Sequence, residues 1–110
     1  MMVHDELDQA LRRLEATMKA ASLWRMERPE PEAFDSQQPF CVDTMALPQW
    51  LRFVFIARLD DLVARRAPMP ARCEVAPILD TYLAEAGVRA SDRLLLRQAV
   101  EEIDRLVTEN

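Results

Sequence analysis

Trp50-Leu51-Arg52-Phe53-Val54-Phe55-Ile56-Ala57-Arg58-Leu59 decides how this chain is read. From Trp50 to Ala57 only Arg52 is polar, so two helical turns carry almost no wet face, and such a helix is expected to be buried nearly all round at the centre of a fold. The apolar run from Phe53 to Ala57 is closed by Arg52 and Arg58 and falls far short of the ~20 residues that a membrane span requires. Upstream, Asp43 or Thr44 is the expected N-cap, Pro48 is tolerated in the first turn, and the helix should reach about Arg66.

Working outward, Leu7, Leu11, Leu14, Met18 and Ala21 recur at steps of four and three and predict a first helix from Val3 to about Arg25. Asp5, Glu6 and Asp8 suit its positive N-terminal end. Between Met26 and Phe40, Pro29, Pro31 and Pro39 bar a long helix, leaving a connector that Trp24, Phe34 and Phe40 should pin to the core, with room for one turn at Glu32–Ser36. Beyond the central helix, Pro68 and Pro70 break the chain. Pro77 then fits the first turn of a third helix carrying Ile78, Leu79, Tyr82, Leu83 and Ala86, stopped by Gly87. Ser91 is the expected cap of a fourth helix with Leu96, Ala99, Val100, Ile103, Leu106 and Val107 as its stripe. The expectation is an all-α fold: one domain, residues 1–110, a compact four-helix bundle with a proline-rich connector between helices one and two.

Composition narrows the function. A net charge of −5 and dispersed arginines argue against a broad phosphate-binding surface, so direct nucleic-acid binding is not expected. One glycine, Gly87, excludes a glycine-rich phosphate loop. His4 is the only histidine, and with Cys41 and Cys73 it lacks the paired spacing of a structural zinc site, so neither metal nor cofactor is expected. Asp80 with Glu85, or Glu101, Glu102 and Asp104, could face a hard cation, but such charges on the outer arc of a helix are ordinarily solvated. The acidic N-terminus lacks the pattern of a secretion signal, which points to the cytoplasm and to reduced thiols.

The segment Gln38-Pro39-Phe40-Cys41-Val42-Asp43-Thr44-Met45 is the part that periodicity explains least, joining a thiol, a carboxylate and a hydroxyl beside an aromatic ring. Each residue also has a sufficient structural job: Phe40 and Met45 staple the chain, Cys41 packs, and Asp43 or Thr44 caps. Arg52 and Arg58 are cations in the most apolar helix. Each is a contact for an acidic partner, half of an internal pair with Asp43, Glu74 or Asp80, or a stem that snorkels its charge out to water.

These residues, with Pro48, Gln49-Trp50-Leu51, Ile56-Ala57-Arg58-Leu59, Leu23-Trp24, Ala33-Phe34, Pro70 and Val75-Ala76-Pro77, resemble the YqcC family over nearly the whole chain. After the Ala-Pro pair this chain has Ile78 and Leu79, where the family pattern has aromatic residues. The resemblance implies a small bacterial helical bundle without catalytic residues, often encoded beside a tRNA pseudouridine synthase of the C type. It therefore implies a non-enzymatic accessory or interaction protein for that synthase. The face to inspect is Gln38, Pro39, Phe40, Cys41, Asp43, Thr44, Met45, Trp50 and Arg58. The alternatives are a bundle that self-associates through helix one or four, and a small-ligand binder or enzyme using Cys41 and Asp43.

Overall fold

The first helix, α1 (Val3–Ala20), buries Leu7, Leu11, Leu14 and Met18 of the predicted stripe together with Ala10, while Ala21 lies past its end and is half-buried. The computed structural model describes residues 3–109; Met1, Met2 and Asn110 of the expected 1–110 domain lie outside them. α1 stops earlier than expected because Ser22 enters the left-handed region (φ 61°) and the Leu23 N–H returns to the Met18 carbonyl at 2.8 Å, closing the last turn. His4 is no loose end: its Nε2 lies 2.7 Å from the Ala67 carbonyl, tying the start of α1 to the end of the second helix.

That second helix, α2, covers residues 47–65 in three joined parts: Leu47–Trp50, a π-helical stretch at Leu51–Ile56, and Ala57–Arg65. Ordinary right-handed backbone at Trp50, Leu51, Ile56 and Ala57 makes them one continuous helix. The wider π turn differs from the regular helix expected. It buries Leu51, Val54, Phe55 and Ile56 together while Trp50, Arg52 and Phe53 stay half-buried and Ala57 and Arg58 exposed, so the helix is not enclosed all round. Its N-cap is Ala46, whose N–H donates to Gln49 Oε1 at 3.0 Å; Asp43 and Thr44 do not cap it.

α3 (Ala76–Glu85) carries Pro77 in its first turn, and α4 (Ala90–Thr108) buries Leu96, Val100, Ile103 and Val107. α4 begins one residue before the expected cap, with Arg89 in the cap position and Ser91 exposed inside the first turn. α1 packs on α4 and on the C-terminal part of α2, α3 packs on α4, and the first turn of α2 meets α3, so the four helices form a ring around one core. Interhelical ion pairs follow the same ring: Arg12 with Asp60 and Arg66 with Asp5 join α1 to α2, Arg13 with Glu102 joins α1 to α4, and Arg93 with Asp80 joins α3 to α4. The connector contains two short 3₁₀ turns, Pro31–Asp35 and Pro39–Cys41. Among the described residues there is no strand, and no helix is long and apolar enough to cross a membrane.

Candidate functional site

The unexplained segment folds through two consecutive left-handed residues, Phe40 (φ 59°) and Cys41 (φ 50°), a costly conformation for side chains with a Cβ. The reversal throws the Phe40 ring inward, edge-on to Trp50 at 5.0 Å and tilted against Tyr82 of α3 at 6.2 Å, while Trp50 stacks on Phe55 at 5.4 Å. Three aromatic contacts of ~0.5–1.5 kcal/mol each are of the right size to hold such a turn. Cys41 and Met45 pack behind the ring against Val54 in a small second core that includes Phe34.

The residues singled out from sequence divide into three groups. Phe40, Trp50 and Arg58 come together as walls of a groove of about 360 Å³, completed by Leu59 beside Arg58 and by Pro70 and Val107 from distant parts of the chain. Cys41 and Met45 are buried beneath it. Gln38, Pro39, Asp43 and Thr44 lie exposed outside it, where polar groups knit the connector: the Ser36 hydroxyl donates to Asp43, the Gln38 N–H donates to Ser36 Oγ at 3.1 Å, and the Thr44 hydroxyl donates to the Ala33 carbonyl at 2.8 Å. The Cys41 thiol and Asp43 carboxylate therefore do not converge on the groove. Arg58 forms no ion pair with a described acid, whereas Arg72 on the same rim pairs with Glu74 at 2.7 Å.

Arg52 finds none of the carboxylates considered for it. Its guanidinium lies 4.4 Å from the Trp24 ring and 5.0 Å from Phe53 and donates to the Trp24 carbonyl, clamping the end of the α1 turn onto α2.

A sequence model of the DUF446 family, described as "tRNA pseudouridine synthase C", matches residues 6–106. The uncharacterised protein YqcC of Escherichia coli K12 is 34% identical over 110 residues, covering all of this chain and 98% of YqcC. The chain belongs to the YqcC family. The solution NMR structure of E. coli YqcC has the same fold, with a TM-score of 0.83 at 35% identity over 99% of this chain and 91% of that one. A protein named tRNA pseudouridine synthase C from Pectobacterium carotovorum is 33% identical over 70 residues, which are 64% of this chain and 19% of that protein.

In this YqcC-family chain the most heavily used polar side chain is one that the sequence assigns to a wet arc. Asp104 of α4 accepts from the N–H groups of Val75 and Ala76 at 2.9 and 2.8 Å and from the Cys73 thiol at 3.1 Å, capping α3 across the bundle. Thr108 completes the clasp, its Oγ1 accepting from the Cys73 N–H at 2.9 Å and donating to the Cys73 carbonyl at 3.0 Å. Burial, then the hydrogen bond and the charge of Asp104, push the Cys73 thiol up to about 12. The missed signal is the spacing of Asp104 and Thr108, one turn apart on a single helix face.

Proposed function

We propose that this protein is a non-enzymatic accessory module that docks on a tRNA pseudouridine synthase of the C type. The observation that carries the reading is the match of a 70-residue stretch of this chain to 19% of a protein bearing that synthase's name. A module resembling this one thus occurs within a longer polypeptide, and a separate chain of the same fold can supply it by association. The groove bounded by Phe40, Trp50 and Arg58 suits that role: its walls are largely apolar, and Arg58 can receive a partner carboxylate without first breaking an internal pair. The test is titration calorimetry of the purified synthase with wild type and with Arg58→Glu. This exposed change should leave helicity intact and weaken binding about tenfold or more, as expected when a rim cation becomes a like charge. Absence of binding by the wild type would sink the reading; equal binding by the variant would remove the groove from it.

Self-association is the second reading, favoured by Leu94 and Leu95, which stand 57% and 52% exposed side by side on α4. Light scattering over a range of concentrations decides it: a dimer mass that Leu94→Glu with Leu95→Glu abolishes would support it, and a monomer throughout would end it.

A further inference from the structure

Folding gathers cations that are scattered in the sequence. Lys19 lies at the end of α1, Arg25 and Arg28 in the connector, and Arg52 in α2, yet all but Arg25 pack over rings that shared cations link into a row. Lys19 and Arg52 lie 5.5 and 4.4 Å from the centre of Trp24, Arg52 and Arg28 lie 5.0 and 5.7 Å from Phe53, and Arg28 reaches Phe34 at 5.1 Å. The row therefore reads Lys19, Trp24, Arg52, Phe53, Arg28, Phe34. Among the described residues Lys19 pairs with Glu15 at 2.8 Å, and the same carboxylate feels the charge of Arg52; Arg25, Arg28 and Arg52 form no direct ion pair there, so the corner holds four cations against this one contacting carboxylate. Beside the row lies a groove of about 480 Å³ lined by Lys19, Ser22, Trp24 and Arg25, with no carboxylate in its wall.

We propose that this corner, formed by Lys19, Ser22, Trp24, Arg25, Arg28 and Arg52, binds the phosphate backbone of an RNA. Arg28, packed over Phe53 and Phe34, has no hydrogen bond among the described residues that ties up its N–H edge and can grip phosphate oxygens in pairs, whereas Arg52 already gives an N–H to the Trp24 carbonyl and adds mainly charge. Several such cations in a row match a chain of phosphates better than a single carboxylate. The half-buried Trp24 and the Ser22 hydroxyl add an apolar wall and a hydrogen-bonding group, which suit a base and a ribose. The net charge of −5 that argues against nucleic acid at the level of composition does not decide the matter, because the local field governs contact within a Debye length of about 8 Å at physiological salt. This site shares no residue with the docking groove at Phe40 and Arg58, and it stands or falls separately from the accessory reading.

The experiment is fluorescence anisotropy with a labelled, unmodified tRNA transcript and the full chain. Wild type should saturate at 50 mM salt and lose roughly ten- to a hundredfold in affinity by 200 mM, the slope expected when about three or four phosphates are neutralised. Arg25→Glu with Arg28→Glu should lose at least tenfold, while Arg65→Glu with Arg105→Glu, an equal change of net charge elsewhere, should stay within about threefold of wild type. Arg25→Glu alone should already weaken binding several-fold, and because Arg25 stacks on no ring it tests the site without loosening the connector. No saturation by wild type at 50 mM salt, or equal losses in the two double variants, would overturn the proposal. So would displacement of the tRNA by polyglutamate at matched charge concentration, which would assign the corner to acidic protein segments.

Discussion

At Asp104 a single carboxylate holds two backbone N–H groups of the α3 start and the Cys73 thiol, so its removal strands groups that water only partly reaches. Asp104→Ala should cost about 2–3 kcal/mol in urea unfolding, and Asp104→Asn clearly less, because an amide oxygen can still accept from the α3 N–H groups. Cys73 carries a second consequence. Its folded pKa of about 12 lies above that of an unfolded thiol near 8.5, so the contribution is fully present below that lower value and is lost as pH rises toward the higher one. Unfolding free energy measured from pH 8 to 11 should therefore fall more steeply for wild type than for Cys73→Ala, and Cys73 should alkylate slowly at pH 8 until the chain is denatured.

At the scale of the element, three helices end in the same way with different residues. Ser22, Arg66 and Gly87 all take positive φ, and the next residue's N–H returns to a carbonyl five positions back: Leu23 to Met18, Ala67 to Leu62 and Val88 to Leu83. Only Gly87 suits that conformation without a steric penalty. Ser22→Gly should therefore raise stability by about 0.5–1 kcal/mol, because Ser22 is exposed and its side chain makes no hydrogen bond among the described residues. Gly87→Ala should lower stability by about 1 kcal/mol, wholly through the backbone, because an added Cβ would meet nothing within 4 Å. Thermal unfolding of the two variants checks both signs, and a destabilised Ser22→Gly would contradict this account of the α1 end.

For the whole molecule, the arrangement of charge matters more than its sum. Glu15 receives Lys19 and Arg12, each at 2.8 Å, and Arg12 reaches across to Asp60, so one exposed network links α1 to α2. The Lys19 hydrogen bond, outweighing partial burial and aided by the charges of Lys19, Arg12 and Arg52, holds the Glu15 carboxyl below its ordinary range. A lowered folded pKa contributes stability above the unfolded value of about 4.3 and loses it as pH falls through the folded one. Glu15→Gln should thus be less stable than wild type at pH 7 by up to about 1 kcal/mol, with the gap closing below about pH 4. Acid titration of the two proteins by circular dichroism measures that convergence.

Helix periodicity in Leu7–Met18, Ile78–Leu83 and Leu96–Val107, with prolines between, was enough to specify three helices and most of their inward faces, because burial of a stripe at helical spacing is a local demand on the chain; the apolar run at Trp50–Ala57 marked the fourth helix but not its half-wet side. The motif at Gln38–Met45 likewise stood out because periodicity did not account for it. Tertiary structure alone decided that Phe40 and Trp50 face a groove while Cys41 and Asp43 do not, since that depends on two left-handed residues chosen by ring packing at Trp50 and Tyr82. It alone placed Asp104 on α3 rather than in water, and brought Lys19, Arg28 and Arg52 around Trp24 and Phe53. Contacts between residues tens of positions apart leave no period in a sequence; they exist only once the core has closed and fixed which surfaces meet.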